Sequence, residues 1–148
     1  MDNGKTISVQ KNTAGDAIVT GLFAGLLAGL VMLVYLVITG LVTGQSPLAV
    51  LGRFAYGSNE VPLLGGLMHL AVSGIYGSFY GLIRYAIPGR RLSRFPGWLS
   101  GMLYGLLLFV LAELILLPGI GSPLVSIPAA NFALAHIVFG LVLGMIAR

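Results

Sequence analysis

The sequence contains no cysteine, one tryptophan and only four acidic residues among its 148 positions. The missing cysteine excludes disulfides, thiolate metal sites and cysteine catalysis. Charge of either sign is scarce: 8% of residues are charged, where a soluble domain carries about a quarter. Recognisable catalytic patterns are absent as well. The chain has no HExxH pair, phosphate-binding glycine loop, dinucleotide fingerprint or serine–histidine–acid order, so it does not read as an enzyme.

What the chain has is apolar length. Hydrophobic residues make up 57%, and a bilayer crossing needs about 20 of them in a row. Four segments qualify, at 17–43, 62–87, 97–117 and 129–147. The expected fold is an all-α integral membrane protein, a bundle of four transmembrane helices in one domain over 17–148. Residues 1–16 form a polar N-terminal tail. The apolar run after the tail is longer than a signal-peptide core, and no small-x-small cleavage site ends it.

The isoelectric point near 9.8 invites a nucleic-acid reading, but the basic residues cluster at membrane boundaries. Lys5 and Lys11 in the tail, Arg84, Arg90, Arg91 and Arg94 around the second connection, and Arg148 share one side of a four-span chain. Arg53 alone lies on the other. The positive-inside rule then puts both termini in the cytoplasm of a cell-membrane protein.

The two halves resemble each other. "GLFAGLLAG" at 21–29 matches "GWLSGMLYG" at 97–105 at a shift of 76, and the same shift carries "SPL" at 46–48 onto "SPL" at 122–124. "HLAVSGIYG" and "HIVFGLVLG", starting at His69 and His136, then align at a shift of 67. This predicts two parallel two-helix repeats, at about 21–87 and 97–148, related by an axis along the membrane normal. Both SPL segments read as helix starts, with serine as N-cap and proline in the first turn. Short interfacial helices are therefore expected in the outer connections, the first over 46–57 with Leu48, Leu51 and Ala55 on its apolar side.

Glycines at intervals of four mark the packing faces. Gly21, Gly25 and Gly29 stack on the first span, and Gly97, Gly101 and Gly105 on the third. Ser73 and Gly77 answer on the second span, Gly140 and Gly144 on the fourth. Small-xxx-small faces let helices approach closely in lipid. The alternative use of such glycines is to leave room for a bound cofactor.

His69 and His136 are the only histidines, and both lie in apolar spans. His69 follows Pro62 by seven residues and His136 follows Pro128 by eight, so both lie roughly 10 Å from the outer boundary. Glu113, five residues before Pro118, occupies the same outer half. Ionisable groups inside a membrane are expensive and read as functional by default. The structural alternative is a neutral histidine bonded to a carbonyl or hydroxyl, with Glu113 protonated or paired. The functional readings are axial ligation of haem b or a chlorophyll by the two imidazoles, or a metal ion held by both histidines and Glu113.

The H-x-x-x-G-x-x-x-G ending "HIVFGLVLG", with its earlier partner "HLAVSGIYG", resembles a family of small uncharacterised four-span bacterial and archaeal membrane proteins. The resemblance implies the four-span fold and assigns no activity. The arrangement of histidines on the second and fourth helices also resembles the haem-binding bundle of the cytochrome b family, which implies a bis-histidine haem. Those bundles carry two histidines per helix, whereas this chain carries one. With short loops and little mass outside the membrane, the expected function is a non-catalytic subunit of a respiratory or photosynthetic membrane complex. Its partners are lipid and other subunits or further copies of itself, not nucleic acid. The alternatives are a haem- or chlorophyll-binding electron-transfer module, and a transporter or channel for ions or small solutes.

Overall fold

The computed structural model describes residues 13–55, 61–87 and 95–147. Lys5, Lys11, Arg90, Arg91, Arg94 and Arg148, on which the orientation count rests, lie outside them. All regular structure among the described residues is helical. Four helices are long and apolar enough to cross a membrane: α1 (Ala14–Val42), α3 (Pro62–Ala86), α4 (Gly97–Ile120) and α5 (Ala129–Ile146). A six-residue helix α2 (Pro47–Gly52) lies in the first connection, and a 3-10 turn (Pro123–Ser126) in the third.

Local sequence sets most of the ends. Helix α1 starts three residues earlier than its apolar run because Thr13 and Asp16 form a capping box. The Asp16 N–H donates to Thr13 Oγ1 at 3.2 Å and the Thr13 N–H to Asp16 Oδ2 at 2.9 Å, satisfying two otherwise orphaned donors. Its other end closes at Gly44, whose φ of 80° suits the left-handed position of a Schellman cap. There the Gln45 N–H reaches the Gly40 carbonyl and the Gly44 N–H the Leu41 carbonyl. Helices α3 and α5 begin at prolines, with Pro62 in the first turn and Pro128 as N-cap.

The third span departs from expectation. The apolar span is expected over 97–117, yet the helix runs on through Pro118 to Ile120. The reason is a π turn over Ala112–Leu116, in which the Leu117 N–H bonds the Ala112 carbonyl five residues back. In a regular α-helix the ring of Pro118 would press on the carbonyl four residues earlier. The wider turn just before it gives the ring room.

The four spans pack in two tight antiparallel pairs, α1 with α3 and α4 with α5, and α1 also packs along α5. Each pair closes on its glycines. A methyl placed on Gly25 would strike the Ser73 carbonyl and lie 2.8 Å from the Gly77 Cα. One placed on Gly101 would strike the Gly140 carbonyl and lie 2.7 Å from the Gly144 Cα. Backbone thus touches backbone, which stabilises helices in lipid through dispersion where the hydrophobic effect is absent.

Ala24, Ala28, Met32 and Leu36 of α1 meet Phe132, Ala135, Phe139 and Leu143 of α5 in the core of the bundle. A polar clasp ties the same two helices together: Tyr35 donates to Asn131 Oδ1 at 2.8 Å, and Asn131 Nδ2 donates to Thr39 Oγ1 at 3.1 Å. Replacing Asn131 with leucine removes both bonds and is expected to cost about 1–2 kcal/mol. Unfolding of the purified protein by SDS titration, followed by circular dichroism, measures it.

Helices α3 and α4 are different. Their backbones stay apart, and side chains span the gap. Tyr104 donates to the Tyr76 carbonyl at 2.8 Å, Tyr80 bonds the Ser100 hydroxyl at 2.8 Å, and Arg84 donates to the same hydroxyl at 3.2 Å. These bridges all lie towards the end of the bundle that holds the chain termini. The opposite end, which holds the first and third connections, has no such bridge among the described residues.

Candidate functional site

Both histidines are buried, each 8% exposed, and both border one cavity of about 670 Å³. It lies at the connection end of the bundle, where α3 and α4 diverge. The volume falls within the range of small-molecule sites, roughly 300–1,000 Å³. Its walls are mostly apolar, with Met32 of α1, Leu108 of α4 and Phe132 and Phe139 of α5 prominent among them. Its polar groups are few: Arg53, His69, Ser73, Tyr76, Ser122 and His136.

The first connection supplies part of that wall because α2 folds back on α3. Ser46 caps α2 by accepting the Ala49 N–H at 3.2 Å. Gly65 then lets the segment lie flush, since any Cβ there would strike the Leu51 carbonyl. This seats Phe54 against His69, with ring centroids 4.6 Å apart, and brings Arg53 to the cavity. The expected helix over 46–57 thus stops at Gly52, and residues 56–60 lie outside the described part. Leu48 is exposed, Leu51 half-buried and Ala55 buried. The second SPL segment forms only the 3-10 turn, with Ser122 accepting the Leu124 N–H at 3.3 Å.

The imidazoles have defined tautomers. Carbonyl oxygens only accept hydrogen bonds, so the ring nitrogen facing one carries the proton. His69 Nε2–H donates to the Gly29 carbonyl across the α1–α3 seam at 3.0 Å. His136 Nδ1–H donates to the Phe132 carbonyl one turn back at 2.9 Å. Phe132 also flanks the His136 ring edge-on, with centroids 4.5 Å apart. Each neutral ring keeps one lone pair, on Nδ1 of His69 and on Nε2 of His136. No side-chain nitrogen or oxygen among the described residues is both sealed and unpartnered. These two nitrogens therefore open onto space, and the cavity is the space both rings border.

Measured against the expected ligands, the two histidines are unequal. A ring nitrogen that donates to a carbonyl while the other ligates is the usual support for a metal-binding imidazole, and His136 has that form with its outer nitrogen free. His69 does not. Its outer nitrogen is committed to Gly29, and the one left is Nδ1, beside the carbon that joins the ring to its own helix. A flat macrocycle bound there would meet the backbone of α3.

Glu113 lies apart from both. It is half-buried on the π turn, does not border the cavity, and makes no hydrogen bond or ion pair with a described residue. No group of three or more metal-binding side chains occurs among the described residues. Of the glycines read as packing positions, Gly21, Gly25, Gly77, Gly101, Gly105, Gly140 and Gly144 meet opposing backbone. Gly97 presents its carbonyl to Gly144, and Gly29 faces the side chains of Ser73 and His69. Sequence reasoning missed the tyrosines that hold α3 and α4 apart. The signal was present in Tyr80 and Tyr104, hydroxyl-bearing rings on otherwise apolar spans. No family model matches the chain, and no curated protein or solved structure matches it either.

Proposed function

We propose that this chain is a non-catalytic, multi-pass subunit of a larger membrane assembly, and that α4 is its docking helix. The observation that carries this is Glu113. Carboxyl groups at membrane depth face a bundle interior or a partner. This one finds no partner among the described residues, and its neighbours Val110, Leu114 and Ile115 are exposed apolar residues. A helix from another subunit, bringing a cation or a hydroxyl to that depth, would satisfy it.

The same reading includes a duplicated architecture. The two glycine seams correspond under the two sequence shifts: Gly25 with Gly77 in the first pair, Gly101 with Gly144 in the second. The short helix α2 and the 3-10 turn then stand for one element, longer in the first copy, resting at the outer interface of a cell membrane. Both termini are cytoplasmic in this reading, on the strength of seven basic residues against one.

The absence of native cysteine makes cross-linking clean. In native membranes, Leu114→Cys is expected to capture a second polypeptide with a thiol-reactive cross-linker. Phe79→Cys, exposed on α3, is expected to capture none. In native gels the chain is expected to migrate within a larger assembly that Glu113→Leu disrupts. Migration only as a free monomer or homo-oligomer, with no Leu114→Cys adduct, refutes the proposal.

A further inference from the structure

The cavity has a chemistry of its own, independent of any partner on α4. Its two imidazoles come from α3 and α5, the diagonal helices of the bundle, and border the same space. Both N–H groups are spent on carbonyls. The site therefore offers two acceptors, at matching depth, from opposite sides. A ligand that satisfies it must present two donors on opposite edges.

The cavity also reaches the lipid-facing surface. Its walls include Val72 of α3 and Ile120 of α4, which are 46% and 56% exposed. Val72 lies one turn from the Tyr76 bridge and Ile120 at the outer end of α4, so they mark the two ends of the stretch that no tyrosine bridges. A ligand can thus arrive sideways from the hydrocarbon and leave an apolar tail there. The aromatic residues Phe54, Phe132 and Phe139 suit a flat ring between them.

We propose that this cavity binds a lipid-phase 1,4-hydroquinone, with its hydroxyls donating to His69 Nδ1 and His136 Nε2 and its tail leaving between α3 and α4. The oxidised quinone carries carbonyl oxygens where the hydroquinone carries O–H groups, so it sets lone pair against lone pair. The site consequently selects the reduced form. A hydroxyl is small enough to reach Nδ1 of His69, where a macrocycle is blocked by the helix.

The test uses the full-length protein in phosphatidylcholine nanodiscs under anaerobic conditions, with protein-free discs as the partition control. The probes are labelled decyl-1,4-benzohydroquinone and the matching quinone. Saturable binding of one hydroquinone per chain is expected, about ten-fold or more tighter than the quinone, the scale of one lost hydrogen bond to a buried acceptor. His136→Phe and His69→Phe are each expected to weaken binding by about ten-fold. Val72→Trp, which narrows the lateral opening and leaves both histidines intact, is expected to abolish it. Phe79→Ala, on the lipid face away from the cavity, is expected to change nothing.

Equal affinity for both redox forms, or no saturable binding by the wild type, overturns the proposal. So does haem binding with a Soret band that His136→Phe removes, which assigns the lone pairs to a metal tetrapyrrole. Binding of decanoate in place of hydroquinone, lost in Arg53→Gln, also overturns it and assigns the cavity to an anionic amphiphile. If a histidine variant fails to fold, as judged by gel filtration, Val72→Trp alone decides: undiminished hydroquinone binding in that variant refutes the site.

Discussion

Replacing Gly101 with alanine is expected to destabilise the bundle by about 3 kcal/mol or more, at the upper end of overpacking costs. The added methyl has nowhere to go. It would strike the Gly140 carbonyl and lie 2.7 Å from the Gly144 Cα, so backbone, rather than a movable side chain, must give way. Helices α4 and α5 must separate along their whole seam, which forfeits dispersion contacts over several turns. Gly25→Ala is expected to act in the same way on α1 and α3, where the methyl would meet the Ser73 carbonyl. Gly119→Ala is the control: no atom lies within 4 Å of a Cβ there. Alanine favours helix over glycine, so that change is expected to be neutral or mildly stabilising. SDS-induced unfolding, compared across the three variants, tests the prediction. A Gly101→Ala protein as stable as Gly119→Ala contradicts the packing described above.

The second large effect is expected at Phe132. Its ring is 3% exposed and fills the space between Phe109 and His136, at centroid distances of 6.1 and 4.5 Å. Phe132→Ala removes those contacts and leaves a void, for an expected loss of about 3–5 kcal/mol. The backbone carbonyl that accepts the His136 Nδ1 proton is unchanged, so the tautomer is kept while the ring loses its packing. Phe79→Ala removes the same atoms from a side chain 54% exposed at the lipid face. Lipid fills the space it leaves, and a loss of less than about 1 kcal/mol is expected. Thermal unfolding in one detergent, monitored by gel filtration, compares the two. Equal losses show that burial within the bundle does not govern stability here.

The spans were legible because apolar length is a strong, local signal. Prolines marked the starts of α3 and α5 to the residue. The two misjudged ends have local causes of another kind. Thr13 and Asp16 extend α1 through a cap that hydropathy does not register. The third span passes its expected end at 117 because a π turn carries the helix through Pro118.

The site was half legible. Depth placed His69 and His136 in one layer, because depth follows from counting residues along helices. The tautomers did not follow from the sequence, since they depend on carbonyls 40 residues away for His69 and on the same helix for His136. The cavity itself arises from a gap between α3 and α4 and from α2 folding back over Gly65. Both depend on distances between elements, and no periodicity records them.

The contrast between the seams has a mechanical consequence. Where glycine backbones touch, neither helix can slide or tilt without first lifting away from the other. Each pair therefore behaves as a stiff plank. The joint between α3 and α4 is made of tyrosine hydroxyls and one arginine, which yield by turning about side-chain bonds. Among the described residues the α3–α4 side is fastened at the termini end alone, while α1 and α5 stay clasped at the connection end through Tyr35, Thr39 and Asn131. On that one side the planks part like the jaws of a clothes peg. Lateral pressure or bilayer thickness, acting on the planks, would change the width of the gap between α3 and α4 before it disturbed either seam.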